Sequence, residues 1–344
     1  MKFTVATERR EIEVADVQGA AEAAGGVMAG ESPLFKDLPL VTVGLPVHNG
    51  GDHLREALDS LLAQDYPNFV VLLSDNASTD QTSDLCREYA ARDQRVRHLP
   101  TDALIEIAAN FRRVALLAVG EYFMWAAHDD LWEPTFVSSM VRSLEAHPGA
   151  VLAFSRFDNI DDAGLVARTF AEDWPSIWRY SRRRQFASMA LLDESRTQKA
   201  NHFYGLMRRD ALRQCLTGCR PVTGFAGEDI VTLTMLLRLG EFIVVDRLLF
   251  HYRTRRLIIR DQQPMMRYML VRILRSTPGH RGSLVLMVVR NHVYFSSLRS
   301  VIRDTSELSL ADRFALRAAL AVKEIIKPLA TIPPAVVREL GLVG

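Results

Sequence analysis

The sequence predicts an α/β fold, in which a doubly wound and mostly parallel sheet is followed by a helical C-terminal region. From residue 38 onward, continuous apolar runs of strand length alternate with amphipathic segments of helix length. This alternation is typical of parallel strands that helices cover on both faces. Polar and acidic residues follow several of the apolar runs. Those positions are the carboxyl ends of the strands, where sheets of this kind bind their ligands.

The first half of the chain predicts five strands and four helices. The expected strands are continuous apolar runs: Leu40–Val47, Phe69–Asp75, Val96–Leu99, Glu121–Ala127 and Ala150–Asp161. The expected helices carry apolar residues at helical spacing: His53–Gln64, Thr82–Asp93, Ala108–Val119 and Pro134–Gly149. Gly120 ends the third helix and Pro134 begins the fourth, as these residues often do.

The second half is less regular and defines the expected domain boundaries. His202–Leu212 predicts a strand and a turn into a helix, and Gly227–Arg253 predicts a loop, a helix and a strand. The aromatic and basic segment Trp174–Arg184 is either a loop over the active site or a solvated basic face. We therefore expect a flexible extension at residues 1–36, a main domain at 37–255 and a helical region at 256–344.

Composition and charge exclude several classes of protein. A net charge of +1 gives no reason to expect nucleic acid as a partner. The cysteines Cys86, Cys215 and Cys219 form neither a disulfide framework nor a zinc motif, which favours a reducing compartment. No secretory signal and no run of about 18 uncharged apolar residues is visible. We therefore expect a cytoplasmic protein without a membrane-spanning helix.

Polar turns follow the first two predicted strands. Pro46, Val47, His48 and Asn49 end the first strand, and the glycines that follow let the backbone approach a ligand closely. Asp75 ends the second strand, where a carboxylate can accept a hydrogen bond from a ligand. A turn or helix-cap residue is the alternative for Asp75.

Two further acidic pairs are candidates for chemistry. Asp129 and Asp130 follow the fourth strand, and carboxylate oxygens are suitable ligands for a divalent metal. Glu228 and Asp229 begin a late helix, where a carboxylate can act as a general base. Acidic residues at a helix N-terminus also stabilise the helix by interacting favourably with its dipole. A purely structural role is therefore the alternative for both pairs.

These motifs, in this order, resemble the catalytic domain of glycosyltransferase family 2 between about Leu38 and Arg255. The resemblance implies a GT-A fold and inverting transfer, of hexosyltransferase type, from a UDP- or dTDP-sugar to an acceptor hydroxyl. It also implies a role in polysaccharide or glycolipid synthesis at the cell envelope, with a sugar or lipid-linked acceptor. His251-Tyr252-Arg253 resembles the closing element of the family.

The resemblance also implies roles for individual residues. Asp229 would be the general base, with Glu228 orienting it or meeting the acceptor. Asp129 would hold Mg²⁺ or Mn²⁺, with support or direct binding from Asp130. Ala127 stands where the family usually has the first Asp of its Asp-x-Asp element. The remaining positions would contact the nucleotide: Pro46 to Asn49 beside base and ribose, Asp75 at the imide N–H, Asn110, His128 near the ribose, and Arg253 at a phosphate. His251 could reach the metal or a phosphate.

Other interpretations of the sequence stay open. With Ala127 in place of an acid, the chain could be a catalytically silent nucleotide-sugar-binding protein. A sugar-phosphate nucleotidyltransferase is a further alternative, although the loop after the first strand lacks the basic residues that such enzymes carry. The Arg-edged C-terminal helices could lie peripherally on the inner face of the plasma membrane, pack on the main domain or form a homodimer interface.

Overall fold

The computed structural model describes the larger part of the chain. The described residues are 37–51, 53–169, 181–192, 198–218, 228–254, 292, 294–306 and 308–331. Several expectations lie outside them: the extension at 1–36, most of the segment Trp174–Arg184, the loop before Glu228, Arg255, and much of 256–344.

Parallel strands form the first half of the sheet. Strand β1 (Val41–Val47) lies between β2 (Phe69–Asp75) and β4 (Tyr122–Trp125), and β3 (Val96–His98) pairs with β2. All seven residues of β1 are buried, as expected for a strand covered on both faces. The register places Val47 beside Asp75, so the turns after β1 and β2 lie next to each other.

The second half of the sheet is mixed in direction. Strand β8 (Leu206–Arg208) runs antiparallel to both β4 and β6 (Ala150–Ile160), while β9 (Glu241–Arg253) runs parallel to β6. Two short strands were not predicted: β5 (Leu131–Trp132) pairs antiparallel with β9, and β7 (Val166–Arg168) pairs with β6. The strand order is β3-β2-β1-β4-β8-β6-β9-β5. The β5–β9 pairing brings the acidic turn after β4 to the end of β9.

Helices cover the sheet close to their predicted positions. In chain order, α1 to α8 are His53–Leu62, Thr82–Arg92, Ile107–Leu116, Phe136–Ala146, Arg182–Leu191, Arg209–Gly218, Glu228–Leu236 and Leu310–Thr331. Helix α1 shows the principle, because its buried residues Leu54, Leu58 and Leu61 share one face. A 3₁₀ helix at Lys199–Tyr204 replaces part of the expected strand, and α5 begins within the segment expected to be a loop or basic face.

Helix α8 packs on α5 through one face and exposes the other. Arg183 of α5 pairs with Asp312 of α8 at 2.5 Å, while Leu310 and Phe314 of α8 are 78% and 76% exposed. Within the described residues, no helix is both long and apolar enough to cross a bilayer. Peripheral membrane contact and homodimer formation stay predictions for the C-terminal helical region at 256–344.

Gly120 is required where the chain enters β4. Its φ of +79° lies in the left-handed region, and an added Cβ would lie 2.4 Å from the carbonyl oxygen of Leu40. That oxygen also accepts the amides of Glu121 and Tyr122 at 3.0 and 3.2 Å, so it is fixed in place. Neither the backbone of Gly120 nor its neighbour is therefore free to adjust to a side chain.

Substituting Gly120 by alanine should destabilise the fold more than the same change at Gly164. Gly164 has a similar φ of +76° but no atom within 4 Å of its would-be Cβ. We expect Gly164→Ala to lower the free energy of unfolding by about 1–2 kcal/mol, the cost of a left-handed backbone. Gly120→Ala should cost clearly more because of the clash. Chemical denaturation of both variants measures the difference, and equal losses would contradict the expectation.

Candidate active site

The turn after β1 is held against the turn after β2 by hydrogen bonds. Nδ1 of His48 donates to the carbonyl oxygen of Asn76 at 2.8 Å. The amide of Asn49 donates to Ser78 Oγ at 2.9 Å, and Asn49 Oδ1 accepts the amide of Thr79 at 2.8 Å. His48 and Asn49 are exposed, and Asn49 has a φ of 50°. The two predicted nucleotide turns therefore form one surface.

Gly50 lets the acidic turn approach this surface. Its amide donates to Thr82 Oγ1 at 2.8 Å, and an added Cβ would lie 3.4 Å from the imidazole of His128. The partly exposed His128 thus lies next to the first turn, on the same surface as His48 and Asn49.

Asp75 is an ionised carboxylate that is already engaged within the protein. It is 1% exposed, and it accepts the amide of Ser78 at 3.1 Å and the hydroxyl of Ser83. Burial acts to raise its pKa, but the bonds from Ser78 and Ser83 and the charge of His98 outweigh burial and lower the pKa. A contact with a base would use the oxygen lone pairs that these bonds leave.

Asn110 fastens α3 to β2. Its side-chain amide donates to the carbonyl oxygen of Ser74 at 3.0 Å, and its Oδ1 accepts the hydroxyl of Ser74 at 2.5 Å. Asn110 is 3% exposed. Asn110 therefore contacts Ser74, the residue before Asp75, and lies in the interior. The structure does not bring it to the ligand surface.

The two carboxylates of the acidic turn differ in environment. Asp130 is fully buried, and its Oδ1 accepts the backbone amide of Arg253 at 2.8 Å. Burial and the charge of Asp129 raise the pKa of Asp130 well above its usual range. Asp129 is partly exposed, and none of the described residues donates a hydrogen bond to its carboxylate. Asp130 supports the turn from inside, whereas Asp129 is the member of the pair that can reach a ligand.

The acidic turn fits a metal that takes few ligands from the protein. Among the described residues, no group of three or more His, Cys, Asp or Glu side chains could hold a metal ion. A single partly exposed carboxylate, that of Asp129, suits Mg²⁺ or Mn²⁺, because such ions are often bound by one or two carboxylates with substrate phosphates and water.

Arg253 lies beneath the acidic turn. Its side chain is 1% exposed, and its Nε donates to the carbonyl oxygen of Asp129 at 2.7 Å. One terminal nitrogen donates to the carbonyl oxygens of Asp161 and Asp162 at 2.9 and 3.1 Å, and the other pairs with Glu56 at 2.7 Å. The structure thus corrects the expected position of Arg253, which faces the interior and not a phosphate.

His251 is likewise engaged inside the protein. Its Nδ1 lies 2.6 Å from Oδ1 of Asp158, and its Nε2 lies 3.1 Å from Oε1 of Glu133. The hydrogen bond with Asp158 raises the pKa of His251 against the effect of burial, and Glu133 raises it further. Both ring nitrogens are occupied, so this histidine joins β6 to the end of β5 and is not placed to bind metal or phosphate.

Glu228 and Asp229 form the first turn of α7. Oδ1 of Asp229 accepts the amide of Ile230 at 2.7 Å, which fixes the carboxylate at the helix start. Burial raises the pKa of Asp229, although nearby backbone amides and the charge of Lys199 oppose the rise. A carboxylate with a raised pKa is a stronger base. Glu228 lies close enough to Arg112 for their charges to interact.

Tyr204 lies near both the acidic turn and helix α7. It ends the 3₁₀ helix, which packs against α7. Burial raises the pKa of its hydroxyl well above the usual range, and the charges of Asp130, Asp129 and Asp229 raise it further. The phenol therefore lies within electrostatic range of both the acidic turn and Asp229.

The sequence did not single out Tyr204. The run Asn201 to Gly205 offered one usable signal, because Gly205 permits a close approach: an added Cβ there would lie 2.6 Å from the carbonyl oxygen of Ala153.

Stacked aromatic rings support the acidic turn from below. Trp125 precedes the turn and stacks on Phe203 at 4.0 Å, while Trp132 follows it and stacks on Phe250 at 5.5 Å. Tyr204 lies between the two stacks, 5.9 Å from Phe203 and 5.7 Å from Phe250. Both tryptophans are therefore core residues, and Tyr204 is held by the same layer that supports Asp129.

Comparison with known proteins agrees with this geometry. The model of the family described as Glycosyl transferase family 2 matches residues 42–216. An uncharacterized glycosyltransferase of Rickettsia typhi is 33% identical over 106 residues, which cover 31% of this chain and 32% of the relative. An uncharacterized protein of Sinorhizobium fredii is 33% identical over 139 residues, or 40% of this chain and 15% of the relative. The chain thus spans only a minor part of these curated relatives.

Solved structures extend the likeness to most of the chain. The structure of S. aureus TarS residues 1–349 with UDP-GlcNAc aligns with a TM-score of 0.53 over 83% of this chain and 88% of that chain, at 15% identity. The corresponding UDP complex aligns with a TM-score of 0.52 over 85% of this chain and 88% of that chain, at 14% identity. At this identity the likeness shows the fold alone.

Proposed function

The chain belongs to glycosyl transferase family 2 and is a glycosyltransferase, and on this basis we propose inverting transfer of a sugar from a UDP- or dTDP-sugar to an acceptor hydroxyl. The observation that carries the proposal is the position of the acidic turn: Asp129 is partly exposed, its neighbour His128 lies beside Gly50 of the joined turns, and the 3₁₀ helix that ends at Tyr204 packs against α7, which begins with Glu228 and Asp229. A carboxylate for the leaving group and a base for the acceptor are the two groups that such a displacement needs.

The nucleotide would bind to the joined turns after β1 and β2. Pro46, Val47, His48 and Asn49 would border base and ribose, and the ionised Asp75 would accept a pyrimidine imide N–H. His128, next to Gly50, would contact the ribose. The complexes of S. aureus TarS with UDP-GlcNAc and UDP, which share this fold, make uridine nucleotides the first donors to test.

The residues of this chain would divide the chemistry between them. Asp229, when ionised, takes the proton of the acceptor hydroxyl while the oxygen of that hydroxyl attacks the anomeric carbon of the donor sugar. The bond to the diphosphate breaks in the same step and its electron pair leaves with the diphosphate, so the configuration inverts without a covalent enzyme intermediate. Asp129 would hold Mg²⁺ or Mn²⁺, which when bound would neutralise the charge of the leaving diphosphate. Glu228 would orient Asp229 or meet the acceptor.

The alternative is a catalytically silent protein that binds nucleotide sugars. Ala127 in place of an acid supports it, because the turn then offers only one accessible carboxylate. Assays of hydrolysis and transfer across a panel of UDP- and dTDP-sugars, with and without Mn²⁺, separate the two functions. Nucleotide binding without any turnover would support the silent protein and contradict the proposed transferase activity.

For the acceptor, we propose a hydroxyl of a sugar or of a lipid-linked sugar in cell-envelope synthesis.

Substitutions of Asp129 and Asp229 should have different effects. Asp129→Ala should abolish transfer and weaken Mn²⁺-dependent binding of UDP, because the metal loses its ligand from the protein. Asp229→Asn should lower kcat by about 100-fold or more while UDP still binds, because only the base is removed. Calorimetry with UDP and initial-rate assays measure the two effects.

Asp84→Asn is the matched control, since Asp84 is 75% exposed on α2. It should leave both binding and rate unchanged. Normal metal-dependent binding in Asp129→Ala, or normal transfer in Asp229→Asn, would contradict the proposal.

The rate should fall in acid at a higher pH than an ordinary aspartate would produce. Asp229 must be ionised to accept a proton, and burial raises its pKa above the ordinary value of 3.8. As the pH drops through this raised pKa, the carboxyl becomes protonated and kcat decreases. A pH profile of kcat, measured beside UDP binding, tests this. If kcat and UDP binding decrease together as the pH falls, protonation of Asp229 is not the cause of the loss in rate.

A further inference from the structure

Arg253 and Glu56 form an ion pair that the proposed chemistry does not use. Nη2 of Arg253 donates to Oε2 of Glu56 at 2.7 Å. The side chain of Arg253 is 1% exposed, whereas that of Glu56 is 55% exposed. A buried guanidinium is unfavourable unless its N–H groups find acceptors, so the partners of Arg253 indicate what it does.

The other contacts of Arg253 converge on the acidic turn. Its Nε donates to the carbonyl oxygen of Asp129 at 2.7 Å, and its backbone amide donates to Oδ1 of Asp130 at 2.8 Å. Nη1 donates to the carbonyl oxygens of Asp161 and Asp162 in the turn after β6. In the part of the chain that the structure describes, no residue donates a hydrogen bond to either oxygen of the Asp129 carboxylate. The guanidinium thus holds the backbone of Asp129 and leaves its carboxylate available.

Glu56 connects this arrangement to the nucleotide turn. It lies in the first turn of α1, which begins at His53 shortly after the turn His48–Gly51. Glu56 and Arg253 are 197 residues apart in the chain, and their ion pair links the helix that follows the nucleotide turn to the residue that holds the acidic turn. A planar guanidinium can make all these contacts at once because its donors have a fixed geometry, which a lysine lacks.

We propose that Arg253 and Glu56 are positioning residues that direct the Asp129 carboxylate toward the substrate. Arg253 fixes the backbone of the acidic turn, and Glu56 keeps the guanidinium beneath the turn and away from the phosphates. This inference rests on the proposed function, because it concerns how Asp129 meets a metal–diphosphate. Without the Glu56 carboxylate, one N–H of the guanidinium loses its acceptor and the turn is held less firmly.

Glu56→Gln in the full chain tests the proposal, because it removes the charge and keeps the size of the side chain. We expect backbone hydrogen exchange over residues 126–133 to become about three- to tenfold faster, the scale expected for one weakened charge-assisted hydrogen bond. The Mn²⁺ concentration that half-saturates UDP binding should rise by a similar factor, about three- to tenfold. UDP binding without metal should not change.

Glu88→Gln is the matched control. Glu88 pairs with Arg55, the neighbour of Glu56 on α1, at 3.0 Å, and both side chains are about half exposed. This variant also weakens an ion pair between a glutamate and an arginine, and one member of that pair, Arg55, lies on the same helix as Glu56. The pair does not contact the acidic turn. It should leave both hydrogen exchange over residues 126–133 and the Mn²⁺ requirement unchanged.

The outcomes separate this inference from the proposed function. Unchanged exchange in Glu56→Gln would overturn the positioning role whatever the enzyme does, and faster exchange with an unchanged Mn²⁺ requirement would make the pair merely structural. Tighter metal-free binding of UDP by Glu56→Gln would mean that Arg253 turns to a phosphate, which also overturns it. If the wild-type protein binds no nucleotide with Mn²⁺ while exchange still rises, the proposed function fails and the contact between the pair and the turn stands.

Discussion

The site depends on one buried contact, the hydrogen bond from the backbone amide of Arg253 to the carboxylate of Asp130. The two residues are 123 positions apart, and both are almost completely buried. A buried carboxylate is costly to leave without a donor, so this bond stabilises the pairing of β5 with β9 and the turn between β4 and β5 together. With Asp130 committed to the interior, its neighbour Asp129 is left partly exposed at the edge of the sheet.

This contact explains why adjacent acids can have separate tasks. Asp130, Arg253, His251 and the stacked tryptophans all serve to hold the turn. The joined turns after β1 and β2 form a second surface, and the start of α7 a third. The 3₁₀ helix that ends at Tyr204 packs against α7, and the ring of Tyr204 contacts Phe203 and Phe250, which stack on the tryptophans that flank the acidic turn.

Local patterns in the sequence predicted the strands, most helices and the order of the polar turns, because each depends on nearby residues. Val47 beside Asp75, for example, follows directly from two parallel strands of equal length. The strand β5 is only two residues long and is defined by pairing with β9, so no local pattern could reveal it. For the same reason the sequence could not show that Arg253 and Asp130 are buried, since their burial arises from contacts distant in the chain. Tyr204 ends a 3₁₀ helix in a segment where the sequence predicts a strand, so its position could not be predicted.

A crystal structure with UDP and Mn²⁺ would test the division of roles within the acidic turn most directly. We expect the ion on the carboxylate of Asp129 and on diphosphate oxygens, with Asp130 still bound to the amide of Arg253. Asp229 should then face the side of the donor opposite the diphosphate. An ion held by Asp130, or a nucleotide bound away from the turns after β1 and β2, would contradict this arrangement.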